Sequence, residues 1–113
     1  MSDGTKTMTP DEARQRVCDR VDELAEVLVA ASHSIHANPE LNFEEHHAHS
    51  VLTEILEDQG LEVERGACGL PTAFRADVGV EGPTVAVLCE YDALPVIGHA
   101  CGHNIIATAG LGA

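Results

Sequence analysis

The sequence predicts an α/β domain. Three observations carry this: apolar residues recur with a helical period through the first half, the period changes near residue 61, and a continuously apolar run, Thr84-Val85-Ala86-Val87-Leu88-Cys89, follows. Two helices come first, strands next, and a further helix opens at Ile105.

Residues 1–8 are polar and are expected to form a disordered N-terminus, with 9–113 as one unit. Thr9-Pro10-Asp11-Glu12 is a helix start: Thr9 can accept from the N3 amide, Pro10 suits N1 with its preset φ, and Glu12 completes a capping box. Val17, Val21, Leu24, Leu28 and Ile35 follow at spacings of 4, 3, 4 and 7. They mark one apolar stripe on a helix of about 25 residues. Asn38-Pro39 ends it, because the residue before proline is pushed out of the α region. Asn42-Phe43-Glu44-Glu45 repeats the capping signature, Ala48, Leu52, Ile55 and Leu56 form a second apolar face, and Gly60 offers a left-handed cap. Leu61–Arg65 and Thr72–Val78 are strand candidates, and Gly79, Gly82 and Pro83 punctuate a turn. The run 84–89 suits a strand buried on both faces, and it leads straight into Glu90-Tyr91-Asp92, at the carboxyl end of a strand where α/β proteins gather catalytic groups.

Charge narrows the function. The 113 residues carry 19 Asp plus Glu against 6 Lys plus Arg, a formal charge of −13. Nucleic-acid binding and attachment to an anionic membrane both require a basic surface, so neither is expected. Lys6 is the one lysine beside five arginines. Two readings of the acidity remain open, adaptation to a salty cytoplasm where screening is short-ranged, or ordinary solvated helix faces. The aromatic residues are Phe43, Phe74 and Tyr91, which leaves packing to aliphatic side chains and alanine.

No basic leader precedes an apolar stretch, and no apolar run approaches the ~20 residues of a membrane span, so a reducing cytoplasm is the expected compartment. The four cysteines include no Cys-x-x-Cys, and Cys18, Cys68 and Cys89 are expected to act as small buried hydrophobes. No Gly-x-Ser-x-Gly and no phosphate-binding loop occurs. His46, His47 and His49 are expected to be solvated helix side chains, and His33 and His36 to meet the carbonyls ending the first helix.

The densest set of potential ligands is Gly98-His99-Ala100-Cys101-Gly102-His103-Asn104. Side chains two apart can converge if Gly102 lets the chain bend, so Cys101 and His103 can share one ion, and a thiolate with an imidazole favours Zn²⁺ over Mg²⁺ or Ca²⁺. Asp92, and after it Glu90, can add an oxygen ligand or orient a metal-bound imidazole. A glycine-rich turn with a buried Cys and a helix-capping His fits the same residues.

Ile35-His36-Ala37-Asn38-Pro39-Glu40-Leu41, Phe43-Glu44-Glu45, Glu90-Tyr91-Asp92-Ala93-Leu94-Pro95 and Gly98–Asn104 stand in one order. With them the chain resembles the N-terminal part of the zinc amidohydrolases related to aminoacylase and carboxypeptidase G, and within these the aminobenzoyl-glutamate hydrolase and aminoacylase-like dipeptidase branch. The resemblance implies part of an α/β catalytic domain, with the lid or dimerisation domain and C-terminal half lying beyond these residues. It implies Cys101 and His103 as metal ligands, His99 as a possible further one, and Asp92 beside the metals in an orienting role. Two divalent ions are implied, zinc first and manganese or cobalt after it. The substrate implied is an N-acyl amino acid or dipeptide, and the possible partners are a second copy or a complementing downstream fragment. The family's general-base glutamate lies downstream of the Cys-Gly-His segment, so these residues are expected to be inactive alone. A small acidic metal-binding or interaction protein derived from the fold is the alternative.

Overall fold

In the computed structural model, residues 7–113 are described, so the expected disordered stretch 1–8 falls almost wholly outside the described residues. Helix α1 (Pro10–Ala37) starts on its capping box: the Glu12 amide donates to Thr9 Oγ1 at 3.1 Å, and the Thr9 amide donates to Glu12 Oε2 at 3.2 Å. It stops at Asn38, whose side-chain amide donates to the Ser34 carbonyl at 2.9 Å, immediately before Pro39.

Helix α2 (His46–Asp58) lies back along α1. His47 meets Ser34 near its start, and Gln59, just past its end, accepts from Arg20. This geometry divides the predicted stripe on α1. Ile35 is fully buried and Leu24 and Leu28 are half-buried, whereas Val17, beyond the end of α2, is 61% exposed and Val21 is also exposed.

The start of α2 corrects one expectation. Asn42 does not cap it, and Glu45 at the N-cap position makes no side-chain cap bond. Glu40 does so instead, its two oxygens accepting from the His47 amide at 2.8 Å and the Ala48 amide at 2.9 Å. A carboxylate there satisfies two orphan donors and meets the positive end of the helix dipole. At the other end Gly60 adopts φ +89°, as a left-handed helix stop requires.

The strands are shorter than the alternation predicts. Strand β1 (Glu64–Arg65) pairs antiparallel with β2 (Phe74–Arg75), Glu64 opposite Arg75 and Arg65 opposite Phe74. The run 84–89 forms no strand, and most of its side chains are exposed, Val85 at 86% and Leu88 at 92%, with Cys89 half-buried. The cause is the absence of a neighbour: a strand exists through main-chain pairing, and among the described residues none pairs with this segment.

Helix α3 (His103–Gly112) begins two residues before the expected Ile105 and closes the core. Ile35, Ala48, Leu52, Tyr91 and Ala107 form that core, with Phe74 and Leu111 packed against it. Phe74 stacks on Tyr91 at a centroid distance of 5.9 Å. The Tyr91 hydroxyl donates to the Thr72 carbonyl, and Thr72 in turn donates to Glu45 at 3.0 Å. Burial, then the carboxylate of Glu45 and the Cys89 thiol, push Tyr91 far above its ordinary ionisation range. Asn104 ties α3 to α1 by donating to Ser32 Oγ at 3.0 Å.

Several single-residue expectations are also corrected. His49 is buried, bonded through Nε2 to the Ala73 carbonyl at 3.1 Å, and His47 contacts Ser34 Oγ at 2.8 Å, so of that trio His46 alone is an exposed side chain. Both bonded rings fill positions where α2 meets its neighbours. Cys18 and Cys68 are exposed and Cys89 is half-buried. No helix among the described residues is long and apolar enough to cross a membrane.

Candidate metal centre

The chain between the end of α1 and the start of α3 builds the site. Glu40 is a hub: while its side chain caps α2, its carbonyl accepts from the Ala93 amide at 2.7 Å, which fixes the Asp92-Ala93 backbone against the end of α1. Leu94 and Gly98 then exchange both main-chain bonds, 2.9 and 3.1 Å, closing a tight loop over Pro95-Val96-Ile97. Val96 sits at φ +72°. That conformation is strained for a β-branched residue. The chain returns through His99 to Gly102, whose φ of +82° turns it into α3 and leaves His103 as the first helical residue.

Glu90, Asp92 and His103 consequently converge, with one donor atom from each lying within 4.8 Å of the others. His103 Nδ1 lies 2.9 Å from both Asp92 Oδ1 and the Asp92 carbonyl oxygen. Both partners accept, so the proton sits on Nδ1. In a neutral ring this leaves a lone pair on Nε2, 3.3 Å from Glu90 Oε2. Two lone pairs repel at that distance. A proton or a bound cation between them removes the conflict, and a carboxylate holding one ring nitrogen while the other faces outward is the arrangement of metal-ligating histidines. One nitrogen and carboxylate oxygens fit a divalent cation chemically.

The sequence-predicted residues are placed unevenly. His103 and Asp92 meet, and Glu90, ranked behind Asp92 by the sequence, joins them. Cys101 is exposed in the turn before Gly102 and lies outside the converging trio. His99 also lies outside it: the residue is 7% exposed, both ring nitrogens are buried without a hydrogen-bond partner among the described residues, and the ring centroid is 6.2 Å from that of His36. Burial first, then His36 and His103, lower the His99 pKa from its ordinary value and favour the neutral ring. The residue that sequence reasoning undervalues is Glu40, which lies outside the converging trio yet fixes the backbone next to Asp92. Its signal is its place in the Asn-Pro-Glu-Leu motif, directly after a proline that stops a helix.

An α/β unit that presents an imidazole, two carboxylates and a nearby thiol at a helix start has the donors of a divalent-metal protein. No protein-family model matches the chain. Among curated proteins it is 46% identical over 110 residues to the Xaa-Arg dipeptidase of Mus musculus, covering 88% of this chain and 26% of the relative. It is 33% identical over 106 residues to thermostable carboxypeptidase 2 of Saccharolobus solfataricus, covering 80% and 27%. It is 32% identical over 117 residues to a p-aminobenzoyl-glutamate hydrolase polypeptide of Escherichia coli, covering 88% and 22%. The chain belongs to the family of aminoacylase- and carboxypeptidase-like metallopeptidases that these relatives represent, and it spans about a quarter of their length.

Proposed function

We propose that this chain supplies part of the metal site of a metal-dependent amidohydrolase or dipeptidase that cleaves the amide bond of N-acyl amino acids or dipeptides. The observation that carries the reading is the convergence of Glu90, Asp92 and His103 within 4.8 Å, in a chain whose relatives bear dipeptidase, carboxypeptidase and hydrolase names. His103 Nε2 and a Glu90 oxygen are donors, and Asp92 fixes the tautomer and tilt of His103 by accepting from Nδ1. Cys101, one glycine away from His103 and exposed, is the thiolate that the resemblance adds to the set, with zinc the best match for thiolate plus imidazole and manganese or cobalt after it. A divalent ion bound there supplies Lewis-acid polarisation of an amide carbonyl.

The described residues bring together donors for one ion, whereas the family resemblance calls for two ions and a separate general-base glutamate. On this reading the 113 residues alone are expected to be inert toward N-acyl amino acids and dipeptides. Purified chain incubated with zinc and a panel of N-acyl amino acids and dipeptides, followed by amine release, is expected to show no turnover. Turnover that disappears on chelation and in His103→Ala would overturn the inertness.

A further inference from the structure

Beside the candidate metal centre lies a cleft that its donors do not use. Pro39 and Leu41 from the connection between α1 and α2, with Ala93, Leu94, Pro95 and Val96 from the loop before α3, enclose about 300 Å³. All six side chains are apolar. The cleft is held in shape by its own backbone: the Glu40 carbonyl accepts from the Ala93 amide at 2.7 Å, and Leu94 and Gly98 exchange both main-chain bonds. A Cβ on Gly98 would come 3.7 Å from Pro39 Cβ, so the end of the loop is seated on the proline. A concave, apolar and preformed space is the usual form of a small-molecule pocket, and this volume is at the small end of the range.

Two further observations point to a ligand. Val96 is fully exposed, although its φ of +72° is strained for a β-branched side chain and would cost glycine nothing. Burial does not hold a valine there, and strain of this kind collects where loops meet ligands. Ala93 directly follows Asp92, which accepts from His103 Nδ1, so the cleft begins one residue from the metal centre.

We infer that this cleft is the acyl-side subsite of the proposed amidohydrolase, that it takes a short apolar acyl chain, and that Leu41 and Val96 determine its specificity. The inference rests on the amide-hydrolysis reading above. Charge selects the half of the substrate. The amino-acid half of an N-acyl amino acid ends in a carboxylate, which needs a cationic or polar partner when it leaves water, and no lining residue is basic. The acyl half is uncharged and begins at the carbonyl that a bound metal polarises, so it lies next to the ion.

The test follows the methyl groups of the purified, metal-free chain by NMR during titration with N-butanoyl-, N-hexanoyl- and N-octanoylglycine. The expected result is saturable shifts at the methyls of Leu41, Leu94 and Val96, with affinity rising about two- to fourfold for each added methylene. Val96→Gly removes the strain and the contact together. It is expected to leave the thermal midpoint undiminished while cutting the affinity gain from butanoyl to octanoyl at least threefold, a split that a merely structural valine would not produce. Leu41→Ser, at a second exposed position, is expected to cut the same gain. Absence of shifts at these methyls, affinity independent of chain length, or concentration-dependent shifts of the same methyls in the ligand-free chain, which would make a second copy the occupant, would each overturn the inference. The chain-length trend in a chain that takes up no cobalt would leave the subsite standing and count against the proposed metal-dependent activity alone.

Discussion

The C-terminal half of α1 and the segment 84–89 are both apolar stretches that the sequence marks for burial, and they end differently. Ile35 is fully buried against Leu52, Tyr91 and Ala107, while Leu88 is 92% exposed. The difference lies in what each needs from its surroundings. A helix satisfies its own main chain and needs only apolar contact on one stripe, which α2 and α3 provide. A strand needs hydrogen-bonding neighbours as well, and none among the described residues pairs with 84–89.

Substitutions sharpen the contrast, and the largest effect belongs to the core. Leu52→Ala, fully buried, is expected to cost about 2–5 kcal/mol, read as a lowered urea midpoint with unchanged slope. A loss below about 1 kcal/mol would mean that the helical half is packed as loosely as the segment.

At the site, Asp92→Asn removes the negative charge that holds His103 Nδ1–H, and is expected to weaken zinc or cobalt binding about 10–100-fold in calorimetry without altering the helical content. Glu40→Ala leaves the amides of His47 and Ala48 without their acceptor and is expected to cost about 1–2 kcal/mol in thermal unfolding. Recovery of part of that loss in Glu40→Gln would separate the hydrogen bond from the charge.

Tyr91 gives a pH signature to the packed region. Its folded-state pKa is raised above the unfolded value near 10, so between those values the folded chain holds a proton that the unfolded chain has lost. Stability is therefore intact below about pH 10 and falls as pH rises above it. Urea midpoints from pH 8 to 11 should show this decline, and Tyr91→Phe should flatten it. The smallest effect falls on the bare segment, where Leu88→Lys is expected to change the stability of the free chain by no more than about 0.5 kcal/mol.

The legible parts of the sequence are those whose physics is local. The Thr9 capping box, the Asn38-Pro39 stop and the left-handed Gly60 all sit where short-range rules put them. Glu40 escapes those rules as a cap because it reaches α2 from six residues before His46, across a loop that no capping pattern spans. Composition misleads at 84–89 because it reports what a segment would bury and not whether a partner is present. His49 defeats the local reading for a related reason: its partner, the Ala73 carbonyl, lies 24 residues away. At the site, the spacing of Cys101 and His103 is visible in the sequence. The pairing of His103 with Asp92 and Glu90 depends on an 11- to 13-residue return of the chain, through the Leu94–Gly98 loop and the turn at Gly102.

We propose that His103, fixed by Asp92 and facing Glu90, anchors a divalent-metal site. Titrating the purified chain with cobalt(II), followed by its visible d–d bands and the near-ultraviolet sulfur-to-cobalt band, tests it directly. The expected result is saturation at one ion per chain, loss of binding in His103→Ala, and loss of the sulfur band alone in Cys101→Ser. Absence of saturable binding, or binding unchanged by His103→Ala, would contradict it.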